Sequence, residues 1–169
     1  MTSKSENTLS KYLPEGSLDL TMQLLRTAPV ELKIKQPRKT KFGDYRFPKK
    51  NERHRISING NLNVYAFLIT LVHEMAHLKA FESFGNGIKP HGEEWQVTFR
   101  QLMTPYLEQN IFPKNLRSAL IKSLNRGSAS SCTDLELFRV LQAFDKKPAL
   151  VVEELETGTC FSLGNDMIF

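Results

Sequence analysis

Residues 62–84, LNVYAFLITLVHEMAHLKAFESF, restrict the architecture more than any other stretch of this chain. Their spacing reads as one long helix, opened by the Asn-rich turn Asn59-Gly60-Asn61 and stopped by Gly85. Projected at about 100° per residue, Phe67, Leu68, Ile69, Leu71, Val72, Met75 and Leu78 cover most of its circumference. A helix that is apolar on nearly every side has to be enclosed by other elements, so the chain must fold around it. Its one polar sector, about 100° wide, holds Thr70, His73, Glu74 and His77. An ionised glutamate and two imidazoles on a buried helix are costly without a partner, and a divalent cation supplies one.

His73 and His77 lie four residues apart on one face, with Cβ atoms about 5–6 Å from each other. Both can therefore reach one ion at the roughly 2.0–2.1 Å of a zinc–nitrogen bond. Glu74 is rotated by about 100° from His73, so it flanks such an ion without ligating it, where a base for an attacking water must sit. A catalytic zinc takes three protein ligands and keeps a position open. His91 is the leading third candidate: Gly85, Gly87 and Pro90 in FGNGIKPHG permit a chain reversal, and His91 shares a stripe with Trp95, Phe99 and Leu102 of the next amphipathic helix. Glu93 or Glu94 could ligate instead, although acidic residues also suit that helix's first turn. His54, among charged residues, is expected to be solvated.

Around this helix the chain reads as α+β. Leu18, Met22, Leu24 and Leu25 predict a helix ending before Pro29; Val30, Leu32 and Ile34 alternate as a strand; Gly43-Asp44 offers a turn; Ile56 and Ile58 mark another strand. We expect a small antiparallel sheet there. Pro113 begins a helix carrying Leu116, Leu120, Ile121 and Leu124 to a stop at Gly127. After the connection Gly127-Ser128-Ala129-Ser130-Ser131, the runs LELFRVLQAF and ALVVEEL with turns at 145–148 and 156–159 predict a small C-terminal β unit. The expected organisation is thus a domain over 1–126 and a β appendage over 127–169.

A chain of 169 residues, 40% hydrophobic and 24% charged, suits one soluble globular domain with a small appendage. The opening MTSKSENTLSKYL lacks a signal peptide's apolar core, and no uncharged run reaches the roughly 18 residues of a membrane span. The expectation is a cytoplasmic monomer with no membrane partner. Cys132 and Cys160 are expected as free thiols, and without a CxxC pair they exclude a cysteine zinc site.

HEMAH at 73–77 and HGEEW at 91–95, following RKTKFGDYR and the strand RISIN, resemble the SprT-like zinc metallopeptidases, relatives of the Spartan protease. The resemblance spans roughly residues 30 to 104. It implies a minimal zincin-like domain, zinc held by His73, His77 and His91, water activation by Glu74, and a protein substrate on or crosslinked to DNA. Many such chains add a four-cysteine zinc ribbon. This one has too few cysteines for it, so the DNA contact a ribbon would make is not implied.

Between residues 33 and 55, ten basic residues face two acidic ones, a local surplus larger than the whole chain's net charge of +5. Aromatics interleave with the cations of KTKFGDYRFPKK. A track of Lys39, Lys41, Arg46, Lys49 and Lys50 with Phe42, Tyr45 and Phe47 as stacking platforms would suit single-stranded DNA. The same residues also suit a solvated sheet edge whose aromatics pack inward. Two readings follow: a zinc endopeptidase, or a non-catalytic module whose metal is structural and whose basic face holds DNA or a protein. Glu74 favours the first, because a structural site needs no carboxylate beside its ligands. Tyr45, Tyr65 and Tyr106 are unranked candidates for steadying an oxyanion.

Overall fold

Asn63 starts the long helix: its side chain accepts the Ala66 N–H at 2.9 Å, while Gly85, with a left-handed φ of 72°, ends it by donating its N–H to the Phe81 carbonyl. The computed structural model describes residues 3–49, 52–127 and 134–146. In chain order these contain α1 (Ser3–Leu9), α2 (Leu18–Arg26), β1 (Val30–Lys35), β2 (Gly43–Arg46), β3 (His54–Asn59), α3 (Val64–Phe84), α4 (Glu93–Glu108), α5 (Lys114–Arg126) and α6 (Leu135–Gln142). The enclosure required by the composition of α3 is complete, for Phe67, Leu68, Leu71, Val72, Met75 and Leu78 are 0% exposed. The sheet and α4 supply most of that cover, and the Tyr12 ring stacks on Phe67 at 5.2 Å.

The fold is α+β, but the sheet is mixed rather than antiparallel. Its order is β1-β3-β2, with β1 parallel and β2 antiparallel to β3. The most buried strand takes the centre, where Ile56 and Ile58 lie beneath α3, while β1, charged at every second position, lies at an edge. The expected turn at Gly43-Asp44 is absent; both residues lie in β2. Glycine serves close approach there instead.

On α4 the buried stripe is Trp95, Phe99, Met103 and Tyr106, so Met103 takes the place expected of Leu102, which is half-buried. The segment LELFRVLQAF, expected as strand, contains helix α6. Asp134 caps it by accepting the Leu137 N–H at 3.2 Å, and Leu137 and Leu141, four apart, are its buried residues. It packs on α5. The runs ALVVEEL and 156–159, with Cys132 and Cys160, lie outside the described residues. No helix among the described residues is long and apolar enough to cross a membrane.

Candidate metal centre

The helical repeat puts His73 and His77 on the same side of α3, and a reversal brings His91 to them. Gly85 turns the chain out of α3, and His91 itself adopts a left-handed φ of 56°, a conformation that costs a non-glycine residue roughly 1–2 kcal/mol. The Gln96 side chain donates to the His91 carbonyl at 3.1 Å and holds that turn. The three Nε2 atoms lie 3.0, 3.1 and 3.2 Å apart. A neutral imidazole has one N–H, and three such rings cannot all satisfy one another at a single point. Separations of this size are what bonds of about 2.0–2.1 Å to one ion leave between its ligands, so the donor set fits zinc. The Trp95 ring forms a floor, with centroids 4.6, 5.3 and 4.7 Å from those of His73, His77 and His91.

Burial drives the imidazoles towards their neutral, ligating form. It lowers His73 to about 2, with help from the neighbouring histidines, lowers His77 to about 4, and depresses His91 as well. Glu74 is 6% exposed and lines, with the three histidines, Gly43, Asp44 and Tyr45, a cavity of about 290 Å³. Burial and the Asp44 carboxylate push its pKa up to about 8, opposed by Arg38, Lys41 and the Tyr45 backbone N–H. A divalent ion at the histidines acts in the direction of those three, favouring carboxylate.

A family model of the SprT-like family matches residues 16–115, from α2 into α5. The chain belongs to the SprT-like family. It is 61% identical over 31 residues to Protein SprT of Pseudomonas syringae pv. tomato, a stretch covering 18% of this chain and 19% of that protein. Protein SprT of Pseudomonas fluorescens (strain Pf0-1) and of Pseudomonas aeruginosa are each 58% identical over 31 residues, with the same shares covered. The matched stretch thus spans about a fifth of these curated relatives. No solved structure matches the chain.

In this SprT-like chain, β2 crosses directly over Glu74. A Cβ on Gly43 would lie 2.4 Å from Glu74 Oε1 and 2.7 Å from Thr70 Cγ2, so only glycine lets the strand pass. Of the three tyrosines, Tyr45 alone lines the cavity. Tyr106 is buried against Thr21 at 3.3 Å, and Tyr65 packs with Phe112 and Phe144. His54 is 6% exposed rather than solvated: position 54 is in phase with Ile56 and Ile58 on the inner face, and its Nδ1 lies 2.9 Å from the Tyr45 hydroxyl. Glu93 and Glu94 are exposed in the first turn of α4, outside the histidine cluster.

The basic stretch does not reach one surface. Tyr45 stacks parallel to His77 with centroids 6.4 Å apart, and Phe47, 54% exposed, stacks on Phe81 at 5.6 Å. Both lie on the metal side of the sheet. Lys41 and Arg46 bind Asp44 at 2.6 and 2.9 Å. Phe42 is half-buried and lines a hollow with Phe138 and Phe144; Lys39 and Lys49 are exposed; Lys50 lies outside the described residues. Gly43, Trp95 and Arg38 lie within the quoted motifs RKTKFGDYR and HGEEW but were assigned no role at the metal centre from sequence, whereas the alternation of HRISIN would have placed His54 inward.

Proposed function

We propose that this chain is a zinc-dependent endopeptidase. The observation that carries the reading is the convergence of three Nε2 atoms at 3.0–3.2 Å beside a buried glutamate that shares their cavity without belonging to the ligand cluster. His73, His77 and His91 would hold the ion. When bound, zinc supplies a Lewis acid that polarises a peptide carbonyl and makes water a stronger acid. Glu74 accepts the proton of the attacking water on its carboxylate, held in place by the Tyr45 N–H and by β2 above it. Beside the histidines, Tyr45, Phe47, Phe81, Ile88, Pro90 and Trp95 line a hollow of about 140 Å³ that suits an apolar substrate side chain next to the cleaved bond.

The test pairs wild type with Glu74→Gln, both loaded with zinc, on an unstructured basic protein. Glutamine keeps the shape but takes no proton, so metal content and melting should stay unchanged while cleavage falls by about 10²- to 10⁴-fold. Equal cleavage by the variant would remove Glu74 from the role of base. A zinc-loaded wild type that cleaves nothing would leave the non-catalytic binding module.

A further inference from the structure

His54 is a buried imidazole outside the candidate ligand set. It stands 6% exposed on the inner face of β3, in phase with Ile56 and Ile58, and does not belong to the cluster of His73, His77 and His91. A polar ring costs free energy at such a position unless its nitrogens find partners. Here both do. Nδ1 lies 2.9 Å from the Tyr45 hydroxyl and Nε2 3.8 Å from Glu82 Oε1. Lys79 donates to the other Glu82 oxygen at 2.8 Å and to the Thr27 carbonyl at 3.0 Å, which holds Glu82 beside the ring. Burial lowers the His54 pKa, so the imidazole is neutral near pH 7 and carries one proton. The Glu82 carboxylate favours that proton on Nε2, which makes Nδ1 the acceptor and the Tyr45 hydroxyl the donor. Tyr45 is therefore fixed at both ends, its backbone N–H bonded to Glu74 and its hydroxyl to His54.

The ring so fixed stands where two spaces meet. Tyr45, His77 and His91 are common to the cavity of about 290 Å³ around Glu74 and the hollow of about 140 Å³ beside it. An ion holds the two histidines, so Tyr45 is the part of this wall whose position depends on another partner. We infer that His54 is a positioning residue for substrate selection: it accepts the Tyr45 hydroxyl, locks that ring as the wall between cleft and hollow, and so restricts the hollow to a side chain of modest size. Phe47, Phe81, Ile88 and Trp95 line the rest of it, which makes a branched aliphatic group the suited occupant. At about 140 Å³ the hollow is well below the roughly 300 Å³ at which pockets for whole small molecules begin, so it takes one side chain and excludes a fused aromatic while the wall holds. That the occupant belongs to a substrate rests on the peptidase reading; the wall itself does not. Because its proton is committed to His54, the Tyr45 hydroxyl is assigned to this wall rather than to an oxyanion.

The probes are a pair of peptide hydroxamates, zinc-binding compounds identical except for the side chain next to the hydroxamate, isobutyl in one and naphthylmethyl in the other. Their affinities for the zinc-loaded full-length chain are measured by calorimetry, with zinc content read in parallel. Wild type should favour isobutyl. His54→Leu removes the acceptor at similar size, and Tyr45→Phe keeps the ring but removes the donor. Each should shrink the preference by about tenfold or more, the scale on which an apolar pocket separates side chains of different size, with zinc content unchanged. His54→Asn, whose side-chain oxygen can take the place of Nδ1 as acceptor, should restore it. No preference in wild type, or a preference unchanged in both His54→Leu and Tyr45→Phe, would overturn the inference. So would a fall of about 10²- to 10³-fold in kcat for Tyr45→Phe with side-chain preference intact, the behaviour of an oxyanion donor. The expected shifts in a chain that cleaves no peptide would uphold the wall and count against the peptidase reading alone, because hydroxamate binding needs the ion but no proton transfer to Glu74.

Discussion

Gly43 and Glu74 show how little room the centre leaves. Alanine at 43 would put a methyl carbon 2.4 Å from the Glu74 oxygen, so either the carboxylate or the strand must move. A displacement near 1 Å at a reacting group costs up to about 10²-fold in rate. Gly43→Ala is therefore expected to lower kcat by that order with zinc content and KM near wild type; unchanged kcat would show that β2 yields without cost. The histidines carry a pH consequence. His73, His77 and His91 all have folded-state pKa values below 6.5, so the metal-free folded chain binds fewer protons than the unfolded chain as pH falls below that value. Their stabilising contribution is present above pH 6.5 and lost towards about 4 for His77 and about 2 for His73. With chelator present, the melting temperature should drop from pH 6.5 to 4 more steeply in wild type than in His77→Ala; parallel curves would contradict the burial of that ring.

The elements that position the centre are joined at their ends. Asn63 caps α3 and also donates to the Leu141 carbonyl at 2.9 Å and Asp145 Oδ1 at 2.6 Å, so one side chain ties the start of the motif helix to the end of α6. Asn63→Ala is expected to lower stability by about 1–2 kcal/mol, from the cap and the unpaired partners together, as read in denaturant unfolding. A change of a few tenths would mean that α6 does not brace α3. The helices α2, α3, α4 and α5 were legible because each has apolar residues at helical spacing between a breaker or cap and a stop. The sheet was half legible. Alternation marked β1 and β3, but strand order and pairing direction join segments apart in the chain and leave no local periodicity to read. In LELFRVLQAF, Leu137 and Leu141 carry helical spacing that the β-branched and aromatic content of a short run obscured.

Across the whole molecule, the three candidate ligands come from two segments, α3 and the turn before α4, so an ion there joins two parts of the fold. Zinc at about 100 times its dissociation constant would add about 2.7 kcal/mol, and its removal by chelator should lower the melting temperature by several degrees. An unchanged melt, or unchanged metal content in His77→Ala, would count against the site. The sequence alone determined the motif helix, its burial and its polar sector with His73, Glu74 and His77, because these follow from periodicity within one element and from the chemistry of the side chains, whereas it left His91, Glu93 and Glu94 as alternatives for the third ligand. Only the tertiary structure decided what crosses from one element to another. It set β2 over Glu74 with Gly43 as clearance, His54 beneath Tyr45, Trp95 under all three imidazoles, and the aromatics of the basic stretch on the metal side with Arg46 and Arg55 on the other. The physical reason is that neighbouring residues of a strand face opposite ways, so a run of charge and aromatics that is continuous in the chain is divided between two surfaces once the sheet forms.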